Sequence, residues 1–149
     1  VQETVNLAQV HLKRSGLQIE VRDHIPAEQR RWVGYHGYLS QVLLNLLSNI
    51  ERYAYPPGVG GKAQIDLALG EPDRFVITVR DFGQGMAPEV AERVFEPFFT
   101  TGRATGGTGL GMAIVHNLVT TALKGSIDIK SKLGKGTTIA VSVPRTIPD

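Results

Sequence analysis

LSQVLLNLLSNI, residues Leu39 to Ile50, places apolar side chains at Leu39, Val42, Leu43, Leu46, Leu47 and Ile50. Those steps of i, i+3, i+4, i+7, i+8 and i+11 trace one face of an α-helix. Gln41, Asn45 and Asn49, continued by Arg52, recur at intervals of four, four and three residues and form a second stripe opposite the leucines. A solvated helix face ordinarily carries Lys and Glu, and two asparagines in a helix interior are mediocre helix formers. Side-chain amides ending in a guanidinium can instead hold Mg²⁺ through carbonyl oxygen and meet phosphate charge. An exposed polar face without a ligand stays open at this point, because polar stripes are the norm on amphipathic helices. Either way, the leucines need an apolar layer to lie on.

The strands that supply such a layer follow in the chain. Ala63-Ile65-Leu67-Leu69, Phe75-Ile77-Val79 and Ile139-Val141-Val143 alternate with polar residues and predict three strands with one buried face each. Ile127 and Ile129 suggest a fourth, and Leu17 to Val21 a short one near the start. Before it, Val5, Ala8 and Leu12 at helical spacing predict a helix ending near Ser15-Gly16. Asp23 to Gly37 reads mostly as connection, and the main helix ends before Pro56-Pro57-Gly58. A short helix is expected after Pro88 and a longer one from about Gly109 to Thr121, with Met112, Val115, Leu118 and Val119 as its apolar stripe. Thr100 to Thr108, rich in glycine and threonine, reads as a mobile loop. Elements in this order, without strict βαβ alternation, predict an α+β fold built as a two-layer sandwich.

The 149 residues fit one domain spanning 1–149, able to bury a core without disulfides or a structural metal. The absence of cysteine excludes disulfide frameworks, thiol nucleophiles and zinc-cysteine sites. Apolar runs such as Val42 to Leu44 fall far short of the roughly 20 residues of a membrane-spanning helix, so no direct membrane insertion by this domain is expected. A formal charge of +2, with Lys and Arg scattered among acids, argues against nucleic acid as a partner. Val1 in place of a methionine leads to the expectation of a piece of a longer chain.

Three glycine-bearing stretches join the amide stripe as candidates for chemistry. Asp81-Phe82-Gly83-Gln84-Gly85 follows the Phe75 to Val79 strand, at a strand end of the kind where ligands commonly sit. Asp81 can accept a hydrogen bond from an exocyclic amine, although Asp and Gly also build plain turns. Gly106-Gly107-Thr108-Gly109-Leu110-Gly111 leads into a helix, where glycines and free N–H groups make a phosphate cradle or, alternatively, only the base of a flexible loop. The run lacks the Lys-Ser/Thr of a Walker loop and the third glycine of the Rossmann pattern. Gly134 and Gly136, followed by Thr137 and Thr138, read on their own as a hairpin turn. Asp81-Phe82-Gly83 does not mark a eukaryotic-type protein kinase, since no His-Arg-Asp loop precedes it and the chain is too short.

Taken together and in this order, the four pieces resemble the N, G1, G2 and G3 boxes of the gyrase, heat-shock chaperone, histidine kinase and mismatch-repair ATPases, over nearly the whole chain. Phe95-Glu96-Pro97-Phe98-Phe99-Thr100-Thr101 resembles the F box of sensor histidine kinases, and Gln41 to Asn49 resembles their N box. The resemblance implies the Bergerat fold, a mixed, mainly antiparallel sheet with about three helices on one face and a mobile ATP lid. It implies ATP and Mg²⁺ as cofactors. Asn49 would be the metal ligand, Asn45 would assist at the phosphates, Arg52 would touch phosphate, and Tyr53 would lie beside the base or ribose. Asp81, within the loop of Gly83 and Gly85, would receive the adenine amine, with Thr137 supporting it through water. Gly107, Thr108, Gly109, Leu110 and Gly111 would meet the phosphates, the loop Thr100 to Thr108 would close as the lid, and Arg103 would add a phosphate contact. Ile50 and Glu51 depart from the more usual alanine and small or apolar residue after the N-box asparagine.

The activity implied is transfer of the ATP γ-phosphoryl group to a histidine on a dimerisation domain absent from this sequence, for relay to a response-regulator aspartate. The parent would be a homodimeric kinase with this domain in the cytoplasm, whether or not the parent is membrane-anchored. Hydrolysing members and serine kinases of the family carry glutamate where Asn45 stands. An amide cannot take a proton, so the acceptor must already be nucleophilic, as neutral imidazole is at pH 7. Glu51 lies about 200° around the helix from Asn49 and does not substitute. None of His11, His24, His36 and His116 opens the acceptor's motif. Two rivals are an anti-sigma-factor serine kinase, which Asn45 and the F box speak against, and a non-catalytic ATP-sensing interaction module.

Overall fold

The computed structural model describes residues 17–24, 36–50, 61–70, 74–95 and 111–144. In chain order these form β1 (Leu17–Asp23), α1 (His36–Asn49), β2 (Gly61–Gly70), β3 (Arg74–Asp81), α2 (Pro88–Arg93), α3 (Gly111–Asn117) with a π-helical turn over Leu118–Ala122, β4 (Ser126–Lys132) and β5 (Gly136–Pro144). The sheet runs β1-β2-β3-β5-β4. β1 pairs parallel with β2 and every other pairing is antiparallel, so the sheet is mixed and mainly antiparallel, as expected. The helix expected around Val5 to Leu12 and the loop Thr100 to Thr108 lie outside the described residues.

Register makes one face apolar. Ile65 lies opposite Val79 and Leu67 opposite Ile77, Ile77 and Val79 face Val141 and Ile139, and those in turn face Ile127 and Ile129. A slip of one residue would turn every one of these side chains to the other face, which is why the alternation fixes the pairing. Val42, Leu43, Leu46 and Leu47 of α1, with Met112, Val115 and Val119 of the α3 segment and Leu123 just after it, join the same cluster. Full burial of each such side chain contributes about 1.5–3 kcal/mol, as an upper estimate. Leu69 falls at the end of the alternation and is exposed.

The helix expected from Gly109 to Thr121 changes geometry partway. After Asn117 it widens, and Leu123 N–H reaches back to Leu118 O at 2.9 Å, five residues earlier. The additional residue per turn rotates the apolar face. Val119 and Leu123 are therefore fully buried, whereas Leu118, expected on the stripe, is only half-buried.

The other sheet face is polar. Lys62 and Arg22 pair with Glu20 at 2.6 and 2.9 Å and hold its carboxyl below the ordinary range. These pairs are exposed, and such pairs stabilise little. Among the described residues no helix is long and apolar enough to cross a membrane.

Candidate functional site

Asp81 closes β3 on the apolar face, in phase with Phe75, Ile77 and Val79, and only 6% of its surface is exposed. Gly83 N–H donates to its Oδ1 at 3.0 Å and Thr137 N–H donates to the same oxygen at 3.3 Å. Among the described residues no donor reaches Oδ2. Burial raises the pKa of this carboxyl above its ordinary value, against the lowering effect of the two backbone donors. A buried carboxylate is costly unless its oxygens find donors, and among the described residues only one oxygen of Asp81 has them.

Two glycines let the surrounding backbone close in. Gly136 has φ +93°, and a Cβ there would stand 2.2 Å from the carbonyl oxygen of Asp81. Gly85 has φ +67°, and its Cβ would stand 2.0 Å from the carbonyl oxygen of Lys132. The loop after β3 thus lies directly against the β4–β5 turn. Gly134 N–H donates to Gln84 O at 2.8 Å, and Met86 N–H donates to Ser131 Oγ at 2.8 Å. Ser131 Oγ also lies 2.7 Å from Thr137 Oγ1. The turn at Gly134 and Gly136 therefore brings the start of β5, with Thr137, against Asp81. Thr137 touches Asp81 directly through its N–H, while its hydroxyl is engaged with Ser131.

Sequence reasoning does not single out Ser131. The available signal is phase: Ile127, Ile129 and Ser131 share the inward face of β4, and Ser131 pairs with Thr137.

On α1 the amide stripe is present. Gln41 Nε2 donates to Asn45 Oδ1 at 3.0 Å, the i, i+4 contact of a helix face, with Gln41 exposed and Asn45 half-buried. No hydrogen bond among the described residues links Asn45 to the Asp81 unit. Asn49 is the last residue of α1, and its side chain lies outside the described residues, as do Arg52, Tyr53, Arg103, Gly107, Thr108, Gly109 and Leu110. Gly111 opens α3. Phe95, the first residue of the F-box stretch, packs its ring 5.3 Å from that of His116, and the rest of that stretch lies outside the described residues. The structure therefore joins Asp81, Gly83, Gly85 and Thr137 in one unit and places Asn45 on the helix layer over the same sheet face.

The family model of histidine kinase-, DNA gyrase B-, and HSP90-like ATPases matches residues 34–147. Sensor histidine kinase ZraS of Salmonella typhimurium is 40% identical over 106 residues, covering 71% of this chain and 22% of that protein. Sensor histidine kinase RppB of Synechocystis is 36% identical over 115 residues, covering 74% of this chain and 24% of that protein. The chain thus spans about a quarter or less of the length of these curated relatives. Among solved structures, the mycobacterial sensor histidine kinase MprB aligns with TM-score 0.75 and 28% identity over 96% of this chain and 93% of that one. Full-length ShkA in complex with AMPPNP aligns with TM-score 0.79 and 26% identity over 96% of this chain and 28% of that one. With the fold and the Asp81 unit in place, the chain belongs to the histidine kinase-, DNA gyrase B- and HSP90-like ATPase family, and within it resembles the catalytic ATP-binding domains of sensor histidine kinases.

Proposed function

We propose that the chain holds Mg-ATP as the catalytic domain of a sensor histidine kinase and presents the γ-phosphoryl group to a histidine on a dimerisation domain outside this sequence, for relay to a response-regulator aspartate. The observation that carries this reading is the asymmetry of Asp81. One oxygen is fixed by two backbone donors and the other has none among the described residues, at the buried end of a strand. The exocyclic amine of adenine supplies the missing donor. Guanine offers a carbonyl at the same ring position, which a carboxylate repels. The AMPPNP complex of the structurally similar ShkA supports an adenine nucleotide here.

At the helix end the donor chemistry fits Mg²⁺. Amide oxygens are hard ligands, and Mg²⁺ binds through one or two protein oxygens while substrate phosphates and water fill the rest. Among the described residues Asn45 Oδ1 receives one hydrogen bond, from Gln41, and an amide oxygen has a second lone pair. Asn49 is the proposed metal ligand, with Asn45 assisting at the phosphates. Bound Mg²⁺ would supply charge neutralisation across the β- and γ-phosphates. Arg52 and Arg103 are the proposed cationic phosphate contacts, Tyr53 is the proposed neighbour of the base or ribose, and Gly107, Thr108, Gly109, Leu110 and Gly111 are the proposed source of backbone amides.

Asn45 removes no proton, so the acceptor must attack as neutral imidazole. Two histidines of this domain are engaged in its own structure, His24 against Asp66 at 3.5 Å and His116 against Phe95. A cytoplasmic setting and a homodimeric parent belong to the same proposal. Calorimetric titration with a non-hydrolysable ATP analogue tests it. Binding strengthened by Mg²⁺ and lost in Asn49→Ala is expected, and a folded chain that binds no nucleotide would sink the reading.

A further inference from the structure

We infer that Ser131 is a positioning residue that sets the base preference of the site; the inference rests on the reading of Asp81 as the adenine acceptor. The two donors that orient Asp81 come from different parts of the fold, Gly83 from the loop after β3 and Thr137 from the start of β5. The Thr137 bond is the longer, at 3.3 Å, so the carboxylate keeps its orientation only while loop and strand stay together.

Ser131 holds them together. Its Oγ accepts Met86 N–H at 2.8 Å on the loop side, meets Thr137 Oγ1 at 2.7 Å and lies 3.2 Å from Gly136 O on the strand side. A hydroxyl has one proton and two lone pairs. All three contacts are satisfied at once when Met86 N–H and Thr137 O–H point at Ser131 and Ser131 donates to Gly136 O. The other inward side chains of β4, Ile127 and Ile129, can make none of these bonds.

Loss of the hydroxyl leaves Met86 N–H without this acceptor and frees the Thr137 side chain. The loop keeps its second tie, Gly134 N–H to Gln84 O at 2.8 Å, so the fold loosens locally. The second carboxylate oxygen of Asp81 then drifts from the position proposed for the adenine amine. The phosphate contacts proposed for α1 are made elsewhere, so the defect falls on recognition of the base.

Equilibrium binding of ATP and of ITP, which carries a carbonyl in place of the amine, tests this in the 149-residue chain. The unmodified chain is expected to prefer ATP. Ser131→Ala is expected to narrow that preference by about tenfold, chiefly through weaker ATP binding, as befits a misaligned hydrogen bond to a charged group. Ser131→Thr keeps the hydroxyl and restores the preference, whereas Ser131→Val, of the same shape, does not. The Thr/Val pair gives the same answer should the alanine variant fold poorly. Equal preference in Thr and Val, or a proportional loss for both nucleotides in Ala, would overturn the role of Ser131 while leaving Asp81 as the acceptor. An unmodified chain that binds ATP and ITP alike removes the Asp81 reading, and this inference with it.

Discussion

The two ends of the site are built in opposite ways. At the Asp81 end, polar groups are oriented by contacts between segments far apart in sequence, residues 81–86 and 131–137, with backbone N–H and C=O groups as most of the parts. At the α1 end, Gln41 and Asn45 meet because a helix brings i and i+4 together, and every part is a side chain. The first end is a product of tertiary closure, the second of local periodicity. Adding a single Cβ should therefore damage the first, and only a change of side-chain chemistry should affect the second.

Gly136→Ala gives the largest expected effect. Its φ of +93° is strained for an L-residue, and the new Cβ would meet the backbone oxygen of Asp81 at 2.2 Å, where no flexible side chain can yield. Positive-φ strain and forced separation of packed backbone together should cost about 3 kcal/mol or more. Gly134 is the internal control, with φ +79° and nothing within 4 Å of where an added Cβ would stand. Gly134→Ala should cost about 1–2 kcal/mol from backbone strain alone. Denaturant unfolding of the two variants separates the cases. Equal losses would mean that close approach, the basis of the contrast between the ends, contributes nothing.

Asp81→Asn should separate binding from stability. The asparagine carbonyl can keep the Gly83 and Thr137 donors, while its NH₂ takes the place of Oδ2 and confronts an amine with a second donor. Nucleotide affinity should fall by about 1.5–3 kcal/mol, or roughly 10- to 150-fold. Stability follows the other sign. Burial raises the folded-state pKa of Asp81, so its favourable contribution is complete below the unfolded value and is lost as pH rises through the raised one. The asparagine variant should therefore gain on the parent between acid and neutral pH, and equal the parent or exceed it at neutrality. Unfolding at both pH values beside calorimetry checks this. A variant that lost stability and affinity together at neutral pH would show Asp81 to be a structural residue.

The sequence shows the helix end more fully than the sheet end, for the same physical reason. Leu39, Val42, Leu43, Leu46, Leu47 and Ile50 repeat at 3.6 residues and are buried, Leu44 off that stripe is half-buried, and the period-2 strands pair as their phases require. Asp81 is visible as a candidate, yet a plain turn competes with it because the decisive donor, Thr137 N–H, lies 56 residues away. Ser131 carries a signal, a polar residue in the inward phase after Ile127 and Ile129, but the apolar alternation stops at that residue. Leu118 falls on the expected stripe because a 3.6-residue period cannot anticipate the π-helical turn that follows Asn117. The parallel pairing of β1 with β2 is also out of reach, since α1 lies between them in the chain.

The smallest expected effect belongs to Gln41→Ala, and it sharpens the contrast most. The bond from Gln41 to Asn45 is exposed, and an i, i+4 side-chain pair of this kind contributes only about 0.2–0.5 kcal/mol. Alanine is the better helix former and offsets part of that loss, so the melting temperature should hardly move. Water can donate to Asn45 Oδ1 in place of the missing amide, which leaves the asparagine hydrated but less oriented. Affinity for Mg-ATP should then change by about twofold or less, against the roughly 10- to 150-fold of Asp81→Asn. A loss of tenfold or more on removing Gln41 would mean that the helix end is as rigidly prearranged as the sheet end. The helix spacing would then set only where the amides sit, and the hydrogen bond between them would decide how they meet the phosphates.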